Sequence, residues 1–156
     1  MSELHPALAA FAAERSSAFT ALVGIEFAAI ERGLCTLRLP IDDKHFNSTG
    51  RVHGGVVFTL LDSAMGASAF SVLEPHESTA TIECKINYTR AVTGGVLECT
   101  GKVMHAGTRT IVVDGEVWQD GLLVAKCLGT FARIRASPGG LSILIKRIDG
   151  MRRSIA

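Results

Sequence analysis

A chain of 156 residues with a formal net charge of +1 is the length of one domain, able to bury about two-thirds of its unfolded surface, and it has no strong field to draw nucleic acid or an anionic membrane. Hydrophobic residues make up 47% and charged residues 20%, the balance of an ordinary globular core. No apolar run reaches the roughly 20 residues of a spanning helix, and the start M-S-E-L carries an acid where a secretory leader needs lysine or arginine, so a cytoplasmic protein is expected.

Residues 3–22 carry a helical pattern, with Leu4, Leu8, Phe11 and Phe19 near helical spacing and a break expected at Ser16-Ser17. Ile25–Ile30 and Leu34–Leu39 follow as two predicted strands around the turn E-R-G, and Pro40 stops the second. The polar loop Ile41–Val52 leads into a helix.

That helix holds one charge. Val56 to Phe70 contains ten apolar residues, four small ones (Thr59, Ser63, Gly66, Ser68) and Asp62. A helix apolar all round is a buried helix. A carboxylate there costs several kcal/mol unless it is paired, hydrogen-bonded or protonated. The plain explanation is a packing aspartate that accepts bonds from backbone or hydroxyl groups. The sharper one is a general base or nucleophile, since the helix supplies no cation to pair with it.

After the helix the period changes to two. Ala80, Ile82, Cys84, Ile86 and Tyr88 share one strand face, and Thr79, Thr81, Glu83, Lys85 and Asn87 the other. Leu97, Cys99, Gly101 and Val103 repeat the alternation, as do Ile111, Val113 and Val117. L-L-V-A-K-C-L-G-T-F-A-R-I follows the hairpin signal Q-D-G. Four alternating strands predict an antiparallel sheet with one covered face, curled around the apolar helix. A single domain over residues 1–136 is therefore expected.

The tail 137–156 begins with S-P-G-G and mixes apolar residues with Lys146, Arg147, Arg152 and Arg153. It reads as a loosely docked terminus, with a partner- or anionic-surface role as the alternative. Cys35, Cys84, Cys99 and Cys127 form no C-x-x-C pair and have no histidine at ligand spacing, so reduced core thiols are expected rather than a metal site.

Two glycines, Gly54 and Gly55, stand where loop becomes helix after His53. The first helical turn exposes unpaired N–H groups with partial positive charge, and glycine lets a ligand approach them. A carbonyl oxygen gaining negative charge would be well placed there, as in an oxyanion hole. A tight turn with His53 as a loop anchor is the plain alternative. Gly54 and Asp62 are eight residues apart, about 12 Å along a helix. Groups acting on one carbonyl must lie within about 3–4 Å of it. Either one of the two is not catalytic, or the site lies between two chains of a homodimer.

The pattern N-x-x-G-x-x-H-G-G-x-x-x-x-x-x-D, filled by Asn47, Gly50, His53, Gly54, Gly55 and Asp62, resembles that of hotdog-fold acyl-CoA thioesterases. The branch is that of the phenylacetyl-CoA and hydroxybenzoyl-CoA thioesterases (the PaaI type). I-N-Y-T-R, H-A-G-T-R-T and V-A-K-C-L-G-T-F also resemble that family, and the likeness covers about residues 20–135. It implies an α+β hotdog fold, a long central helix wrapped by a curved antiparallel sheet, with an N-terminal helix. It implies hydrolysis of an aryl- or medium-chain acyl-CoA to acid and CoA, without metal or cofactor, by a homodimer or a homotetramer of two dimers.

By position, the resemblance makes Asp62 the base or nucleophile and Gly54 the carbonyl-polarising N–H. Asn47 and His53 would shape that pocket, and Thr81 would hold the water. Strict alternation sets Thr81 on the polar face unless a bulge intervenes. Gly55, Arg90, His105, Gly107 and Arg109 are the expected CoA contacts, arginine suiting phosphate by its planar fork of donors. Two other functions stay open. A hotdog dehydratase or hydratase would form enoyl-CoA instead of free thiol, and an acyl-CoA binding module would bind without turnover.

Overall fold

The computed structural model describes residues 17–135. Residues 3–16 of the predicted N-terminal helix and the tail 137–156 lie outside them. The described end of that helix is α1 (Ala18–Val23), capped by the Ser17 hydroxyl at its start and by Gly24 in the left-handed region, φ 90°, at its end.

Strands β1 (Glu26–Glu31) and β2 (Leu34–Pro40) form the first hairpin. Within the predicted loop, Asp43–His45 makes a short 3-10 turn. The long helix α2 spans Gly54–Ser71. Strands β3 (Glu77–Tyr88), β4 (Val96–Ala106), β5 (Thr110–Gln119) and β6 (Leu122–Arg135) follow. All neighbours in the six-stranded sheet, ordered β1-β2-β4-β5-β6-β3, run antiparallel. The β5–β6 turn is the predicted Asp120-Gly121, both at positive φ.

The sheet's inner face buries one side of α2. Leu37, Leu39, Leu97, Cys99, Ile111, Val113, Val117, Ala125, Cys127 and Phe131 from the strands meet Val57, Leu60, Leu61, Ala64, Met65 and Ala69. The helix lies close because Gly101 and Gly115 face each other across β4 and β5. A Cβ on Gly101 would stand 2.6 Å from the Ala64 carbonyl oxygen, and one on Gly115 2.7 Å from the Met65 sulfur. Bare backbone at these two positions forms a seat for the helix.

Two expectations need correction. The helix apolar all round is fully buried on one side only: Thr59, Asp62, Ser63, Gly66 and Phe70 are half-buried. The apolar face predicted for β3 is also incomplete. Ile82 is 57% exposed and Tyr88 50% exposed, because β3 is an edge strand and its register slips at Ile82. Cys35, Cys99 and Cys127 are buried, Cys84 is half-buried, and none is disulfide-bonded. No helix among the described residues is long and apolar enough to cross a membrane.

Candidate active site

The start of α2 is held by histidines. His45 is buried in the 3-10 turn; its Nδ1 accepts from the Asp42 N–H at 3.0 Å and its Nε2 lies 2.7 Å from the Val23 carbonyl oxygen. Its own carbonyl takes the His53 N–H at 2.8 Å. His53 is the N-cap of α2, Nδ1 accepting from the Gly55 N–H at 2.9 Å. The Val56 N–H donates to the His53 carbonyl, and the Tyr88 hydroxyl donates to the Gly54 carbonyl at 2.9 Å. Around Gly54, one backbone donor is left over. The Gly54 N–H has no acceptor among the described residues. It stands at the positive end of the helix.

Asp62 lies two turns further along. Its Oδ1 accepts the Thr81 hydroxyl at 2.9 Å and the Cys84 thiol at 3.8 Å. None of the ion pairs among the described residues involves it. Being half-buried, it costs less than the full burial inferred from its apolar surroundings. The β3 bulge sits between Thr81 and Glu83, and with it Thr81 faces the helix instead of the polar side.

Asn47, Gly54 and Arg90 line one open cavity of about 330 Å³, together with Arg51, Val57 and Tyr88. Asn47 is also the organiser of its loop: Oδ1 accepts from the Thr49 N–H, the Thr49 hydroxyl and the Arg51 N–H at 2.9, 2.8 and 3.2 Å. A second cavity beside Arg90 is lined by Gln119, Asp120 and Leu122.

His105, Gly107 and Arg109 are not part of this cavity. They stand on the β4–β5 hairpin at the other end of α2, where Arg133 ties the Gly107 carbonyl and the Val72 carbonyl to Glu77. Within the single chain the expected CoA contacts therefore form two groups, Gly55 and Arg90 at the helix start and the hairpin residues at its end.

Comparison with known proteins places the chain in a family. The family model described as Thioesterase superfamily matches residues 49–126, half of the chain, from the loop before α2 into β6. This chain belongs to the thioesterase superfamily. The solved structure of conserved protein PA5202 from Pseudomonas aeruginosa is 41% identical, with a TM-score of 0.75 over 78% of this chain and 98% of that one. The PaaI protein from the phenylacetic acid degradation operon of E. coli is 25% identical, with a TM-score of 0.76 over 86% and 99% of the two chains. The 1,4-dihydroxy-2-naphthoyl-CoA hydrolase of Listeria monocytogenes is 28% identical over 97 residues, 62% of this chain and 75% of that protein. The curved antiparallel sheet around one long helix is the hotdog fold, and the chain is a thioester hydrolase.

Sequence reasoning passed over several residues of this thioesterase. Tyr88 was assigned to a strand face, yet it packs on Gly54, whose Cβ would stand 3.3 Å from the phenol ring. Arg51 lines the cavity beside Arg90. Cys84 reads as core filler but reaches Asp62. Alternation alone already set Cys84 and Tyr88 on the apolar face of their strand; their contacts with Asp62 and Gly54 depend on how β3 lies against the helix, which a single sequence does not display.

Proposed function

We propose that the protein hydrolyses an acyl-CoA thioester, with an aryl or medium-chain acyl group, to the free acid and CoA. The reading is carried by the open Gly54 N–H at the head of α2, on the same rigid helix as Asp62. At about 12 Å apart they cannot serve one carbonyl. In a homodimer whose half-exposed α2 faces meet and whose β3 edges adjoin, each Gly54 would face the other protomer's Asp62. Two such dimers could assemble as a tetramer.

In this site the thioester carbonyl oxygen accepts the Gly54 N–H, and Asp62 of the opposite protomer takes a proton from water. The water oxygen attacks the carbonyl carbon, and the tetrahedral oxyanion is held at the helix start. Its collapse breaks the C–S bond, and Asp62 returns the proton to the CoA thiolate. Attack by the Asp62 carboxylate itself, through an anhydride that water then opens, uses the same geometry. Neither route calls for a metal or cofactor. Arg90 and Arg51 beside the cavity offer charge to the CoA phosphates, and His105 and Arg109 offer it from the hairpin. The 1,4-dihydroxy-2-naphthoyl-CoA in the name of the Listeria relative, and the phenylacetic acid degradation operon from which the E. coli one comes, support an aryl substrate. The unpaired thiols fit a reducing compartment such as the cytoplasm.

The test is thiol release across aryl and fatty acyl-CoA substrates, with Asp62→Asn beside the wild type. Folded Asp62→Asn should lose about a hundredfold or more in kcat. Near-wild-type turnover by that variant would remove Asp62 from the mechanism.

A further inference from the structure

Residues 81 and 84 are three apart, and an unbroken strand would point them to opposite faces. The bulge changes that. Thr81 pairs with Phe131 and Glu83 with Thr130, leaving Ile82 without an opposite number and 57% exposed. Alternation restarts one residue late, so Thr81 and Cys84 both face α2. Both donate to the same atom, Oδ1 of Asp62, at 2.9 and 3.8 Å. No protein donor reaches Oδ2 among the described residues. Opposite Cys84 on β6 stands Gly129, and a Cβ there would lie 3.0 Å from the Cys84 sulfur. The missing side chain leaves the thiol its place. Burial pushes the Cys84 thiol up to about 12, so it remains an S–H donor rather than a competing nucleophile.

We infer that Cys84 is a positioning residue: with Thr81 it fixes Oδ1 of Asp62 and so presents Oδ2 to water or to the thioester carbon. This rests on Asp62 as the catalytic carboxylate. The bulge at Ile82 is the device that brings two donors of one edge strand onto one carboxylate oxygen.

Thiol release by Cys84→Ser, Cys84→Ala, Cys84→Val and Asp62→Asn tests it, with thermal melts to establish that each is folded. Losing the donor, Cys84→Ala and Cys84→Val should lower kcat about 3–10-fold with KM within about twofold. Cys84→Ser keeps a donor and should stay within about twofold of wild type in kcat. Wild-type kcat in Cys84→Ala, or an equal loss in Cys84→Ser and Cys84→Val, overturns the inference. If Asp62→Asn is inactive while Cys84→Ala is unimpaired, only the positioning role fails. An active Asp62→Asn removes the catalytic carboxylate and this inference together.

Discussion

The Tyr88 hydroxyl donates to the Gly54 carbonyl oxygen at 2.9 Å, while the N–H of the same glycine has no acceptor among the described residues. The last residue of the edge strand thus fixes the first residue of the helix through its carbonyl and leaves the N–H of that residue unused. Removing the hydroxyl in Tyr88→Phe should cost less than about 1 kcal/mol, because the ring is half exposed. Activity should fall further, about 3–10-fold in kcat/KM. Steady-state kinetics beside a thermal melt separates the two effects.

Gly55 gives a sharper contrast. An added methyl would stand 2.9 Å from its own cap, Nδ1 of His53, so the imidazole must leave. Losing a cap costs about 1 kcal/mol, and alanine regains up to about 1 kcal/mol of helix propensity. Gly55→Ala should therefore melt close to wild type and yet lose activity, as the loop shaping Gly54 shifts. His53→Ala loses the cap without that compensation and should melt lower.

Much of this was legible before any coordinates. Asp62 alone in an apolar helix, H-G-G at its start and four alternating strands located the helix, the sheet and both halves of the candidate site. What stayed hidden depends on register and contact. Strict alternation turned Thr81 away from Asp62, and only the slip at Ile82 turns it back. His45 looked like one more polar loop residue, but it is 2% exposed and bonded at both ring nitrogens. Gly101 read as one more member of an alternating strand face and Gly115 carried no signal, whereas their pairing across β4 and β5 seats the helix. Such features arise between segments distant in sequence, where local pattern carries no information.

The far end of α2 has its own signature in pH. Burial pushes the Glu77 carboxyl up, but the Glu74 N–H and the Arg133 guanidinium, 3.0 and 2.8 Å from Oε2, outweigh it and hold it below the usual range. A carboxyl depressed in the fold stabilises it above the unfolded value of about 4.3, and that contribution is lost as the pH falls through the folded value. Glu77→Gln should cost about 2–3 kcal/mol near neutral pH. The gap to wild type should narrow in melts below about pH 4.

The central claim is that Gly54 of one protomer and Asp62 of the other serve one thioester. Asn47 shares the Gly54 cavity, so Asn47→Ala should disable that half of the site and Asp62→Asn the other. Mixed in equal amounts with subunit exchange verified by mass, half of the dimers pair unlike chains, each with one intact site. Thiol release should then recover to about a quarter of the wild-type rate from two inactive parents. No recovery in verified mixed dimers would contradict the shared site.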